Sequence, residues 1–216
     1  AKFDLKSERY EDIKQYIALF NQSDLNTIPK PYRFRIFTPY VARLVPTLPV
    51  IIKNTFRIDN DREILLRFGF VNTLGMASTA YLLFIFLIKL NYNKYKSLIG
   101  SLIYLGCFYS INWTVLPLVD AWAHAFLMLG IVAVYKKWNL ALLFTMIVGM
   151  FAKETTALVV LTIPMFSRNT KLIRNQFLLA LPGLLGYFLF RSVFFNSPIG
   201  YSYSFIHIMH HFWQFI

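Results

Sequence analysis

The first candidates for chemistry are two acidic residues in the apolar part of the chain. After residue 67 the only carboxylates are Asp120 and Glu154, although the whole chain has 10 Asp and Glu. A carboxylate at the centre of a membrane helix costs roughly 3 kcal/mol unless it is paired or hydrated. Asp120 is therefore either a helix N-cap or a functional group. Glu154 and its neighbour Lys153 either pair with other groups to hold the structure together, or Glu154 is a functional group. His124 follows Asp120 by one helical turn, as a hydrogen-bonded core histidine or a catalytic group.

Arginines and one further acid in the amino-terminal part of the chain form the second set of candidates. Arg33 and Arg35 lie in a run of aromatic and proline residues that is followed by Arg43. A guanidinium group can bind a phosphate through two parallel hydrogen bonds, and arginines near a membrane also bind lipid head groups non-specifically. Asp12 precedes this run in a helical pattern, where an ordinary solvated acid is the alternative to a general base.

The histidines and the cysteine do not predict a metal site. His207 and His211 share a helical face beside His210, as zinc ligands can, but no nearby cysteine or acid completes the set. We interpret this segment as part of a membrane interface. The single cysteine, Cys107, excludes an internal disulfide and a CxxC site. The sequence also lacks a P-loop, a GxGxxG motif, a nucleophile elbow and an HExxH motif.

The composition predicts an all-α integral membrane protein that crosses the bilayer several times. Hydrophobic residues make up 57% of the chain and charged residues 15%, whereas soluble domains have about 25% charged residues. A water-soluble fold would have too few polar side chains to cover its surface. The net charge is +12, but after residue 67 the basic residues lie in short gaps between apolar runs, as in membrane proteins. We therefore predict membrane lipids, and no nucleic acid, as partners.

The distribution of charge divides the chain into two predicted regions. Residues 1–67 hold 12 of the 22 Lys and Arg and 8 of the 10 Asp and Glu, and we expect them to form an amphiphilic, partly helical region outside the hydrocarbon. Within it, the pattern predicts a helix at 7–20, a loop at 21–31 and an interfacial segment at 39–52. Prolines disfavour a regular spanning helix in that last segment. Residues 68–216 form the predicted transmembrane helix bundle.

Six apolar segments follow residue 67. A helix needs about 20 apolar residues to cross a hydrocarbon core of ~30 Å, so the long segments qualify as spans. The six are 68–90, 98–118, 119–135, 138–166, 173–195 and 201–216. Lys153 and Glu154 interrupt the fourth segment, and the sixth reaches the end of the sequence before it completes a span.

Three short basic segments predict the orientation of the bundle. They are Lys89, Lys94 and Lys96; Lys136 and Lys137; and Arg168, Lys171 and Arg174. The positive-inside rule places all three in the cytoplasm. The chain between the second and third basic segments must then leave the cytoplasmic side of the membrane and return to the same side. This predicts a short, re-entrant helical hairpin with arms at 139–151 and 155–166 and with Lys153 and Glu154 at its apex.

The predicted topology brings separate polar parts of the chain together. Residues 1–67, Asp120 and the hairpin apex would all face the outer side of the membrane. This convergence predicts a polar site on that face.

Short motifs resemble a superfamily of membrane enzymes. The pair Asp12 and Tyr16, the run YRFRIFTPYVARL at 32–44, and the later DAW at 120–122 and AKET at 152–155 resemble stretches of bacterial polytopic proteins that are similar to the GT-C superfamily of glycosyltransferases. GT-C enzymes transfer a sugar from a polyprenyl-phosphate donor on the outer face, with the catalytic acid in the first external loop. The resemblance covers about residues 10–166. The first helix of the superfamily has no counterpart in this sequence, which is consistent with a fragment.

The resemblance implies a role for each candidate. The general base would be Asp12, and the residues that bind the substrate or its phosphate would be Arg33, Arg35, Asp120, His124, Lys153 and Glu154. The substrate would be a lipid-linked sugar, with no metal ligands predicted and a divalent-ion requirement left open. The protein would be a multi-pass protein of the bacterial cytoplasmic membrane, with its amino-terminal region outside. A transporter or lipid flippase, and a noncatalytic helical subunit of a membrane complex, are the alternatives.

Overall fold

The regular structure of the described chain is entirely helical, which confirms the predicted all-α class. The computed structural model describes residues 11–21, 27–29, 32–107, 116 and 118–193, and no strand occurs within these ranges. Two helices among them, Asn60–Lys89 and Thr170–Ser192, are long and apolar enough to cross a membrane by length and composition.

Three short helices lie in the described part of the amino-terminal region. They are α1 (Glu11–Phe20), α2 (Phe37–Leu44) and α3 (Val50–Phe56), with a 3-10 turn at Tyr32–Phe34 between the first two. The inward face of α1 carries Ile13, Tyr16 and Leu19, all of which are buried. The predicted helix at 7–20 is thus present from Glu11, and residues 7–10 lie outside the described ranges. The predicted interfacial segment at 39–52 is divided into α2 and α3 by a stretch that contains Pro46 and Pro49.

A buried carboxylate fixes this region to the first long helix, α4 (Asn60–Lys89). Asp59 caps α4 by accepting a hydrogen bond from the backbone N–H of Arg62 at 2.8 Å. Glu63 is buried in the first turns, where it forms an ion pair with Lys53 of α3 and accepts a hydrogen bond from Arg67 at 2.7 Å. Because α4 begins at Asn60, one continuous helix crosses the regional boundary that we placed after residue 67.

The described residues after α4 form five further helices. They are α5 (Lys94–Gly106), α6 (Asp120–Lys136), α7 (Asn139–Ala152), α8 (Val159–Phe166) and α9 (Thr170–Val193), and a 3-10 turn at Glu154–Leu158 precedes α8. The second half of the predicted span at 98–118 lies mostly outside the described ranges, as does the whole of 201–216.

One end of the bundle, hereafter the basic end, gathers the three lysine- and arginine-rich segments. The Tyr135 hydroxyl donates a hydrogen bond to the carbonyl of Lys89 at 3.0 Å. The ring of Tyr135 also lies 5.5 Å from the rings of both Phe86 and Phe166. The carboxyl ends of α4, α6 and α8 therefore meet, although they are far apart in sequence.

The chain reverses direction after α7, as the predicted hairpin requires. Lys153 has an extended backbone (φ −166°, ψ 142°) that ends the helix, and the Thr156 hydroxyl donates back to the carbonyl of Gly149 at 3.0 Å. α8 then returns to the basic end at Phe166. Lys153 and Glu154, hereafter the tip, consequently lie at the opposite end of the bundle, which we call the site end.

A close approach between α7 and α9 depends on Gly183. A Cβ atom at this position would collide with the backbone carbonyl group of Met146, which cannot move aside as a flexible side chain can. At Gly186, one turn later, a Cβ atom would meet nothing within 4 Å.

We predict that Gly183→Ala lowers the free energy of unfolding by about 1–3 kcal/mol, because overpacking forces the two helices apart. Gly186→Ala is the matched control and should leave stability equal or slightly higher, since alanine favours a helix. Denaturant unfolding of the purified protein, followed by circular dichroism, measures both. Equal stability of the two variants would contradict the close approach.

Candidate functional site

The tip is held by a two-pronged ion pair with the amino-terminal region. Arg35 donates to the Glu154 carboxylate from Nε at 3.1 Å and from Nη2 at 2.5 Å. The Arg35 side chain is 14% exposed and the Glu154 side chain 33% exposed, so water screens the pair only partly. A bidentate pair fixes both distance and orientation. Residues that are 119 positions apart in sequence therefore form one rigid contact.

Tyr16 of α1 completes the coordination of Arg35. The Nη1 atom of Arg35 donates to the Tyr16 hydroxyl at 3.2 Å, and the tyrosine side chain is buried. Burial raises the pKa of Tyr16 above its ordinary value, against the lowering effect of the arginine charge. Burial opposes the charge on Arg35, yet the hydrogen bonds and charge of Glu154, with Tyr16, hold the arginine pKa above its ordinary value. The phenol is thus neutral and the guanidinium charged at physiological pH.

Asp12 joins the same end through a second tyrosine. The Tyr32 hydroxyl donates to Oδ1 of Asp12 at 2.5 Å, and the Tyr32 ring meets the edge of Tyr16 with centres 5.6 Å apart. Asp12 is itself exposed to solvent. The site end therefore presents an accessible carboxylate, oriented by a phenol, beside the buried Tyr16–Arg35–Glu154 contact.

Asp120 and Lys153 form the second ion pair of the site end. Asp120 lies in the first turn of α6 and accepts from the Lys153 ammonium group. Both side chains are about one-fifth exposed, at 20% and 23%. The N-cap of α6 is Val119, not Asp120, so the capping role that we considered for the aspartate is not the one observed. Its negative charge still lies where the helix dipole favours it.

Two of the sequence candidates do not contact the tip. Nδ1 of His124 lies 3.1 Å from the Tyr104 hydroxyl of α5, which suits the structural interpretation of a hydrogen-bonded core histidine. Arg33 is buried, and its Cζ atom lies 5.2 Å from the centre of the Phe34 ring. Of the two arginines that the sequence could not tell apart, Arg35 is the one that binds the tip.

Tyrosines are the residues that sequence reasoning missed. Tyr16 had a signal, because it lies on the apolar face of the predicted α1, but nothing indicated that its hydroxyl would meet Arg35. Tyr32 lies next to Arg33 in a motif that drew attention only to charge. Tyr187 and Arg191 of α9 also reach the site end, where Tyr187 contacts Phe151 with ring centres 6.0 Å apart.

Metal ligands do not gather in the described part of the chain. No group of three or more His, Cys, Asp or Glu there is placed to hold an ion. His207, His210 and His211 lie outside the described residues.

The chain was compared with protein-family models, curated proteins and solved structures. No family model, curated protein or solved structure matches it.

The Arg35–Glu154 pair should show measurable energetic coupling. In a double-mutant cycle of Arg35→Gln and Glu154→Gln, we predict a coupling free energy of about 1–3 kcal/mol, because the pair is bidentate and mostly buried. The matched control is Asp59 with Arg62, whose atoms are 3.7 Å apart and whose side chains are each 65% exposed. That pair should couple by about 0.2–1 kcal/mol.

Denaturant unfolding in detergent measures both cycles. Coupling at Arg35 and Glu154 that is no larger than the control would show that the tip is not held by this pair.

Proposed function

We propose that the chain is a multi-pass membrane glycosyltransferase of the GT-C type, or a piece of one, which acts on the outer face of the bacterial cytoplasmic membrane. It would transfer a sugar from a polyprenyl-phosphate donor. The observation that carries the proposal is the meeting of Asp12, Arg35, Glu154, Asp120 and Lys153 at one end of an apolar helical bundle.

The exposed surface of the helices supports a membrane location. Only 33% of the apolar window of α4 and 22% of that of α9 is buried inside the fold. The outward side chains are large and apolar; on α9 they are Phe177, Leu178, Leu181, Leu185, Phe188 and Leu189. A continuous apolar face of this kind is unusual on a soluble monomer, and lipid is the solvent that would cover it.

The distribution of charge supports the orientation. The short loops at the basic end contain lysines and arginines but no Asp or Glu, and the positive-inside rule assigns such loops to the cytoplasm. The site end would then face outward, where lipid-linked sugars for the cell envelope are used. The two ends are opposite because α6 runs from Asp120 to Lys136.

The site contains groups for each part of a transfer reaction. Asp12 is the exposed carboxylate that would accept the proton of the acceptor hydroxyl. The acceptor oxygen would form a bond to the sugar C1 as the bond between C1 and the phosphate oxygen breaks. Positive charge from Arg33, Arg35 and Lys153 would stabilise the departing polyprenyl phosphate. Glu154 and Asp120 would position Arg35 and Lys153.

An apolar cavity beside the site suits a hydrocarbon chain. It has a volume of about 390 Å³ and lies between α2 and α7, with only apolar and aromatic walls. Ile36, next to Arg35, lines one side, and Phe151, close to the tip, lines the other. A lipid could therefore place its chain there while its phosphate remains near the charged residues.

The pairing of both tip residues also supports a second candidate. Glu154 and Lys153 each have an oppositely charged partner, as expected if they only hold the fold together. A noncatalytic helical subunit of a membrane complex would need no more than this. Activity assays separate the two candidates.

For the enzyme, we predict that Asp12→Asn lowers sugar transfer by at least roughly 100-fold, because a general base typically contributes 10²–10⁴-fold. Asp61→Asn is the matched control, since Asp61 is an exposed acid in the first turn of α4, at the same end of the bundle. The assay is transfer from a polyprenyl-phosphate sugar by the protein in proteoliposomes. Equal activity of Asp12→Asn and the wild type would remove Asp12 from the mechanism.

The proposed orientation makes a separate prediction about accessibility. In a Cys107→Ser background, a cysteine at Asp61 should react with an impermeant maleimide in intact spheroplasts. A cysteine at Thr170, an exposed residue at the basic end, should react only after the membrane is opened. Reaction of both positions from the same side would exclude the proposed topology.

A further inference from the structure

Arg191, in the last turn of α9, is a cation of the site end that the proposed reaction does not yet use. Its Cζ atom lies 5.3 Å from the centre of the Phe34 ring, and Cζ of Arg33 lies 5.2 Å from the same centre. Among the residues that the structure describes, no carboxylate lies within ion-pair distance of Arg191, while Glu154 is engaged by Arg35. Two guanidinium groups therefore lie against the same ring.

Tyr187, one turn before Arg191, carries a buried hydroxyl whose O–H donates to no acceptor within the described part of the chain, although the Arg191 guanidinium lies close enough to interact with its oxygen. Its side chain is 2% exposed, and its ring packs against Phe34 and Phe151. Electrostatic interactions link this hydroxyl to Glu154, Arg191 and Arg35. A buried O–H donor without an acceptor is costly, and a bound ligand that accepts its hydrogen bond would remove that cost.

We propose that Arg191 and Tyr187 bind a phosphate group at the site end, between α9 and the tip. The contact of Arg191 with the face of Phe34 orients the guanidinium without consuming its N–H donors. Those donors match the geometry of phosphate oxygens, and the Tyr187 hydroxyl adds one further donor. The inference rests on the proposed function in one respect, because it takes the phosphate to be that of the polyprenyl donor.

The position of Arg191 along its helix favours a lipid-borne phosphate. It follows the long apolar stretch of α9, at the depth where an arginine side chain reaches the head-group layer. Prenyl phosphates, phospholipid head groups and free phosphate share the same recognition chemistry. The experiment must therefore separate these sources.

The test measures binding to the full chain, purified in an uncharged detergent, by isothermal titration calorimetry. The probes are farnesyl phosphate, farnesol, dioleoyl phosphatidic acid and inorganic phosphate. We expect farnesyl phosphate to bind most tightly and farnesol, which lacks the phosphate, at least tenfold more weakly. Arg191→Ala should weaken farnesyl phosphate binding by roughly 10- to 100-fold and leave farnesol unchanged.

Tyr187→Phe keeps the test informative if the alanine variant folds poorly. It removes only a hydroxyl whose O–H donates to no acceptor in the described part of the chain, so the unfolding midpoint should change little. Farnesyl phosphate should nevertheless bind roughly tenfold more weakly to it. Arg174→Ala is the matched control, because Arg174 is an exposed arginine on the same helix near the basic end. The Arg174→Ala variant should bind farnesyl phosphate with the affinity of the wild type.

The inference is overturned if Arg191→Ala and Tyr187→Phe both bind every phosphate probe as the wild type does, or if the wild type prefers no phosphate to farnesol. Equal, Arg191-dependent binding of phosphatidic acid and farnesyl phosphate would support the phosphate site and contradict the prenyl source. If the wild type transfers sugar but Arg191→Ala binds farnesyl phosphate as tightly as the wild type does, the inference is refuted and the proposed function is not. Arg191-dependent binding without transfer would refute the proposed function alone.

Discussion

The arrangement of the site end depends on the bidentate contact between Arg35 and Glu154. It joins the segment before α2, which contains Arg35, to the turn between α7 and α8, which contains Glu154. Tyr16 holds the third edge of the same guanidinium, so α1, the loop before α2 and the turn after α7 share one charged group. Both side chains are largely shielded from water, so water screens the attraction between them only partly. Apolar packing of Tyr16 and Leu19 against α2 and α4 holds α1, and with it Asp12, in the same position.

Apolar packing supplies the frame within which that contact can form. Gly183 lets α9 approach α7 closely, and the aromatic rings of Phe34, Phe151, Tyr187 and Phe190 fill the space below the tip. Many side chains that face outward on α4 and α9 are also large and apolar. Charge is correspondingly confined to the two ends, with lysines and arginines at one and mixed charges at the other.

The sequence predicts the fold better than it predicts the site, and particular residues show why. The lengths of the apolar runs and the positions of the basic gaps are visible in the order of the residues, so the all-α class and the reversal at Lys153 could be predicted from them. The proximity of Asp120 and the tip followed from counting crossings. The start of α4 could not be read, because Glu63 looks like a surface acid until Lys53 and Arg67 are placed around it. Side-chain rotamers and loop geometry decide that Tyr32 binds Asp12 and that Arg35, not Arg33, binds the tip. The periodicity of the sequence contains no information about either.

The sequence separation of the two ion-pair partners also constrains how the protein is assembled. During synthesis Arg35 is made 119 residues before Glu154, and the intervening helices must be synthesised before the two can meet. Lys153 and Glu154 are adjacent, yet they bind α6 and the amino-terminal region respectively, so a single late event secures both. The site therefore closes only after the hairpin is in place. A chain truncated before residue 153 would contain Arg35 and Asp120 without the partners that the tip provides.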